Sequence, residues 1–203
     1  MIILPDIQLY IFLTVLITAI LEVFGLILTL LFPKLRIWPP PGKRSWQIWF
    51  VVGGWGIMGL GVVAVGILDW ETFWLMHWSR LIPGGLLASF GLVLNHLGSL
   101  GTHQDFGLEG GPLRTDGPFQ YTRNPQYVGL ILAFTGMILI TNSFWALITG
   151  ILIILWLLLA PFSEEPWLRE QFGKEYEEYC KNVPRFIGRA SFKRKSPPTR
   201  RNG

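Results

Sequence analysis

The chain has 203 residues, 51% hydrophobic and only 15% charged, with a formal net charge of +4. A soluble domain carries about 25% charged residues. With a mean hydropathy of +0.43 and long apolar runs, this balance excludes an ordinary soluble domain and indicates a polytopic membrane protein. No nucleic-acid partner is expected. The single Cys180 excludes an internal disulfide, and ten Trp suit rings placed at membrane interfaces.

Five apolar segments read as spans of an all-α membrane protein. The first runs from Ile7 to Phe32 and is closed by Pro33; it is long enough to cross, and no basic segment precedes it as in a cleavable signal. Glu22 lies in its middle, where a carboxylate is costly and either packs or lines a path. The second runs from Trp46 to Leu68, closed by Asp69, and carries six glycines between Gly53 and Gly66. The third, Leu81 to Leu100, holds the small-residue pairs Gly84/Ala88 and Gly85/Ser89, which let helices approach closely. Asn95 and His96 fall near its end, with an interhelical hydrogen bond as the plainer reading of His96. His77 reads as interfacial. His96 and His103 have no other ligand at metal spacing, so no metal site is expected.

The segment from Gly101 to Gln126 is polar and glycine-rich, suited to presenting backbone N–H groups to an anion. Asn124-Pro125 reads as the cap and first residue of the fourth span. The fourth and fifth spans, Pro125–Ile140 and Phe144–Phe162, are separated only by Thr141-Asn142-Ser143, which makes them an antiparallel hairpin. The fourth is short for a hydrocarbon core needing about 20 residues. Beyond the hairpin, Leu168, Phe172, Tyr176 and Tyr179 recur at helical spacing from Trp167 to Cys180. They predict a separate amphipathic helix on the membrane surface, opened by Glu165 and Pro166. From Arg189 onward the chain reads as a basic, disordered tail.

Of the 17 Lys and Arg, all but Arg80 fall on one side of this layout. The positive-inside rule makes that side cytoplasmic and puts the N-terminus outside. Three divisions follow: 1–97 as N-terminal spans, 98–187 as a core of loop, hairpin and amphipathic helix, and 188–203 as the tail.

Within the core, Gly117-Pro-Phe…Arg123-Asn-Pro-Gln-Tyr127-Val-Gly129 precedes the hairpin. After it come Glu164-Glu165-Pro-Trp-Leu168, Phe172-Gly173-Lys-Glu-Tyr176 and Val183-Pro-Arg-Phe. In order and spacing this resembles the integral-membrane methyltransferases, which include isoprenylcysteine carboxyl methyltransferases and phospholipid N-methyltransferases. The resemblance covers residues 98–187. It implies S-adenosyl-L-methionine as methyl donor and a lipid-like or prenylated acceptor drawn from the membrane. Carried over by position, it implies a cofactor pocket of Leu113, Arg114, Phe119, Arg123, Asn124, Pro125, Tyr127, Glu164 and Glu165, and names no catalytic base. Asn124 stands where the family has His, and Asn cannot act as a base near neutral pH. The stretch Gly111-Pro-Leu-Arg-Thr115, and the lack of an Arg just before Glu164, depart from the prenylcysteine enzymes. The acceptor thus stays open between a carboxylate, an amine and a hydroxyl. Two other classes remain: a non-catalytic membrane scaffold or transport subunit, and a sterol-reductase-like enzyme using NADPH.

Overall fold

The structure is a computed structural model that describes residues 3–73, 78–100 and 112–192. Its long elements are five helices: α1 (Ile3–Leu31), α2 (Trp46–Leu68), α3 (Leu81–Ser99), α4 (Pro125–Thr141) and α5 (Phe144–Asn182). Short 3-10 turns occupy Trp78–Arg80, Gly117–Gln120 and Arg189–Phe192. No strand occurs among the described residues. Among the described residues, four helices are long and apolar enough to cross a membrane, and α4 is a shorter apolar helix. The expected spans thus fall on helices with nearly the expected limits, except that α5 continues well beyond Phe162.

The outward faces of α1, α2 and α3 stay apolar, with Tyr10, Ile17, Leu60, Ile82 and Leu86 exposed. Such faces suit lipid, where backbone groups must be satisfied within each helix. The core is a layer of Val15, Leu26, Met58, Val62, Ile153 and Leu157 shared by α1, α2 and α5. Glu22 is buried in this bundle at 1% exposure and neither carboxylate oxygen has a hydrogen-bond partner among the described residues. Its side chain fills the space that a Cβ on Gly54 would take.

Helices α3 and α4 meet backbone to backbone. A Cβ added to Gly91 would lie 2.5 Å from Gly129 O, one on Gly129 2.4 Å from Asn95 N, and one on Gly136 2.4 Å from Ala88 N. The pair Gly84/Ala88 belongs to this contact. Gly85/Ser89 does not: Gly85 faces open space and Ser89 is exposed, because one helix face cannot present both pairs to one neighbour. Asn95, rather than His96, makes the interhelical bond, its Nδ2 donating to Gln126 O at 3.3 Å; His96 is exposed. His77, His103 and residues 101–111 of the glycine-rich loop lie outside the described residues.

The hairpin turn forms as expected. Asn142 adopts a left-handed conformation (φ 49°) at the end of α4, and Ser143 caps α5 by accepting from Ala146 N at 3.0 Å. Asp69 at the end of α2 locks that turn, accepting from Ser143 Oγ (2.6 Å) and Trp145 N (3.1 Å).

Three expectations are corrected. The amphipathic segment is not a separate helix opened at Pro166, because α5 runs on past Pro161 and Pro166 and is interrupted only at Gly173, beyond which a second helical stretch continues to Asn182. Each proline removes one amide donor, and the helix absorbs the loss. The kink falls instead at Gly173 (φ 51°, ψ −126°), where the absent Cβ makes a left-handed backbone cheap. Nor is the apolar face of the segment left to the membrane alone. Tyr176, Tyr179 and Val183 are buried in a cluster with Leu113, Leu168 and Phe172, while Glu170, Lys174, Glu175, Glu177 and Glu178 are exposed. The beginning of the predicted tail is also ordered. Ser191 is buried and its Oγ donates to Tyr121 O at 2.6 Å; residues 193–203 lie outside the described residues.

Candidate functional site

The hairpin returns the start of α4 to the second half of α5, and two acidic neighbours there have different surroundings. Glu164 Oε1 accepts from the Tyr127 hydroxyl, across the hairpin, and from the indole N–H of Trp38 at 2.5 Å. The same indole N–H lies 3.0 Å from the Tyr127 oxygen. Trp38 comes from the α1–α2 connection, held there by the Thr29 hydroxyl, which accepts from Ile37 N at 3.0 Å and Trp38 N at 3.4 Å.

Beside this triad lies an apolar cavity of ≈ 220 Å³, lined by Trp38, Val51, Val52, Trp55, Tyr127, Leu130 and Trp156. Trp156 is its hub: Trp55, Trp38 and Tyr127 sit 4.9, 5.7 and 6.2 Å from it between ring centroids. Aromatic rings with a carboxylate at one edge favour a cation or an onium group.

Glu165, in contrast, is enclosed by guanidinium groups. Arg185 binds it through both oxygens, Nε to Oε1 at 2.6 Å and Nη2 to Oε2 at 2.8 Å. Arg123 Nη1 is 3.1 Å from Oε1 and Arg169 Nη2 3.6 Å from Oε2. Hydrogen bonding to Glu165 holds the Arg185 guanidinium above its ordinary value. Arg185 also lies over the Phe162 ring at 3.8 Å, and Arg123 Nη1 reaches Cys180 Sγ at 2.6 Å.

The other predicted residues gather at the same end of the bundle. Asn124 occupies the cap position of α4 without a side-chain cap bond. Its Nδ2 donates instead to Arg185 O at 3.0 Å, joined by the Thr122 hydroxyl at 2.8 Å. Pro125 is buried as the first residue of α4. Leu113 packs on the Tyr176/Tyr179 cluster. Phe119 is buried, and its carbonyl accepts from Tyr179 Oη at 2.7 Å. Arg114 sits over the Phe119 ring at 5.3 Å. All nine residues therefore lie at one end of the bundle, with Tyr127 lining the cavity, Glu164 bonded to Tyr127 beside it, and Arg123 and Glu165 in the arginine cluster. Sequence reasoning did not single out Trp38 or Arg185. Arg185 lay within the quoted Val-Pro-Arg-Phe, and its signal was a lone cation among apolar neighbours. Trp38, in a proline-rich connection, carried no local signal.

Residues 80–175 match the phospholipid methyltransferase family model. The match runs from the start of α3 through α4 to just past the Gly173 bend, and it bears out the resemblance to membrane methyltransferases. It ties this segment to methyl transfer on membrane lipids. No curated protein and no solved structure matches the chain. Helices α1 and α2, and with them Trp38, lie outside the matched segment.

Proposed function

We propose that the chain transfers a methyl group from S-adenosylmethionine to an amphipathic acceptor resident in the membrane. The reaction would take place at the face where α4 begins and α5 emerges. The observation that carries this reading is the junction of Tyr127, Glu164 and Trp38 at the rim of a ring-lined apolar cavity.

The residues fit such a donor. Among the described residues, Arg114 Nη1 and Arg123 Nε are buried without a hydrogen-bond partner, a complement to a carboxylate ligand. Glu164 and the surrounding rings complement a positive centre. Bound S-adenosylmethionine would supply an electrophilic methyl on sulfur. The chain's own task would be placement: Arg114, Arg123 and Phe119 would hold the polar end. Leu113, Asn124 and Pro125 would shape the wall, and Glu164 with Tyr127 would orient the charged centre. The apolar cavity would take the adjoining part of the acceptor and keep water out, which is where most acceleration of an in-line displacement originates. Glu165 would act as the keystone of the arginine cluster. The distribution of basic residues supports a cytoplasmic location for this face, with the N-terminus outside.

Calorimetry of the purified protein with S-adenosylmethionine, S-adenosylhomocysteine and NADPH tests the reading. Binding of the first two and not the third is expected. NADPH binding would favour a reductase, and binding of none a scaffold. A lipid-extract assay with labelled methyl donor, followed by mass analysis of the product, identifies the acceptor.

A further inference from the structure

We infer that Trp38, supplied from outside the family-matched segment, is the positioning residue that fixes the Glu164 carboxylate at the mouth of the aromatic cavity. The inference rests on the cofactor reading above for its consequence, but not for its geometry. An indole has a single donor and no acceptor. Here that donor lies 2.5 Å from Glu164 Oε1 and 3.0 Å from the Tyr127 oxygen, so its shorter arm goes to the carboxylate. Both donors converge on the same oxygen, Oε1, so that among the described residues no hydrogen bond engages Oε2, the oxygen left to face a ligand.

Trp38 is in turn held at three points. Its backbone N–H and that of Ile37 reach the buried Thr29 hydroxyl, and its ring packs on Trp156, which is buried at 2% exposure. The α1–α2 connection is therefore a strut that carries a donor into a site whose other parts come from α4 and α5. The two N-terminal helices complete the site rather than merely anchoring it.

The test is a thermodynamic cycle on the full chain in lipid nanodiscs: wild type, Trp38→Phe, Glu164→Gln and the double variant. Two ligands differing in one charge are measured, S-adenosylmethionine with its sulfonium and S-adenosylhomocysteine without. Trp38→Phe keeps an aromatic ring but removes the N–H. It should lower the preference for the charged ligand by about three- to tenfold, the scale of one hydrogen bond to an ionised group. In the Glu164→Gln background it should lower it no further, as expected for residues that act as one unit. A merely structural loss would weaken both ligands alike and leave the ratio unchanged, which overturns the inference.

A second readout needs no ligand. The infrared carboxyl band assigned to Glu164 by Glu164→Gln should titrate at higher pH in Trp38→Phe, because a donor to a carboxylate favours its ionised form. If wild type binds neither ligand, the functional reading fails, and this titration alone decides the role of Trp38. An unmoved band sinks it. If Trp38→Phe does not fold, Trp38→benzothienylalanine keeps the ring shape and exchanges the N–H for sulfur, with the same outcomes expected.

Discussion

Glu164 and Glu165 are adjacent in sequence and play different parts. The two oxygens of Glu165 are both engaged by guanidinium groups, of which only Arg169 is well exposed. Removing one member of a buried ion cluster leaves the others uncompensated and costs about 3–5 kcal/mol. Glu165→Ala should therefore lower the thermal midpoint of the detergent-solubilised protein sharply and reduce expression. Sequence alone suggests the opposite, a loss of cofactor affinity with folding intact. Tyr127→Phe belongs to the other class. It deletes one donor to Glu164 and keeps the ring against Trp156. S-adenosylmethionine affinity should fall about tenfold or more with little change in melting, read by calorimetry beside a thermal scan. The sequence named both glutamates but could not separate them. Their difference is made by Arg185 and Trp38, 20 and 126 positions away, and no local pattern encodes contacts of that range.

At the scale of elements, apolar runs bounded by Pro33, Asp69 and the Thr141-Asn142-Ser143 turn made most helix ends legible to within a residue, the start of α1 and the far end of α5 excepted. Burial of a run against lipid is written in composition, so its limits are local. Which face of each helix meets a neighbour is not local, and there the reading divided. Gly84/Ala88 meets α4 and Gly85/Ser89 does not, although both pairs have the same spacing. A matched pair of substitutions measures this. At Gly129 a Cβ would lie 2.4 Å from Asn95 N, a backbone atom that cannot rotate away. Gly129→Ala should destabilise the protein by about 1–3 kcal/mol, seen as a lower thermal midpoint. Gly85→Ala meets nothing within 4 Å and should leave the midpoint unchanged. The continuation of α5 past its two prolines was illegible for a related reason. Pro161 and Pro166 look like helix ends in sequence, but the packed Tyr176/Tyr179 cluster beyond them stabilises the continuation, and the bend passes to Gly173.

For the whole molecule, the arrangement that matters is which end of the bundle faces which compartment. The site gathers where α4 begins and where α5 passes beyond about 20 residues of apolar helix, enough to cross a bilayer. The α1–α2 connection, with Lys34, Arg36, Lys43 and Arg44, supplies Trp38 to the same end. Arg80, paired with Glu71 at 2.5 Å, is the one basic residue placed by the layout at the opposite end, beside the hairpin turn. Charge asymmetry of this size sets orientation during insertion. A donor made in the cytoplasm could then reach Glu164 directly, while the acceptor enters from the bilayer. Single cysteines introduced in a Cys180→Ser background check the whole scheme. Trp78→Cys, at an exposed position near Arg80, should react with a membrane-impermeant maleimide added to intact cells. Lys43→Cys, also exposed, should react only after the cells are opened. The reverse pattern would put the arginine cluster and Glu164 on the side away from the cytoplasmic methyl donor, and the proposed reaction could not run at this face.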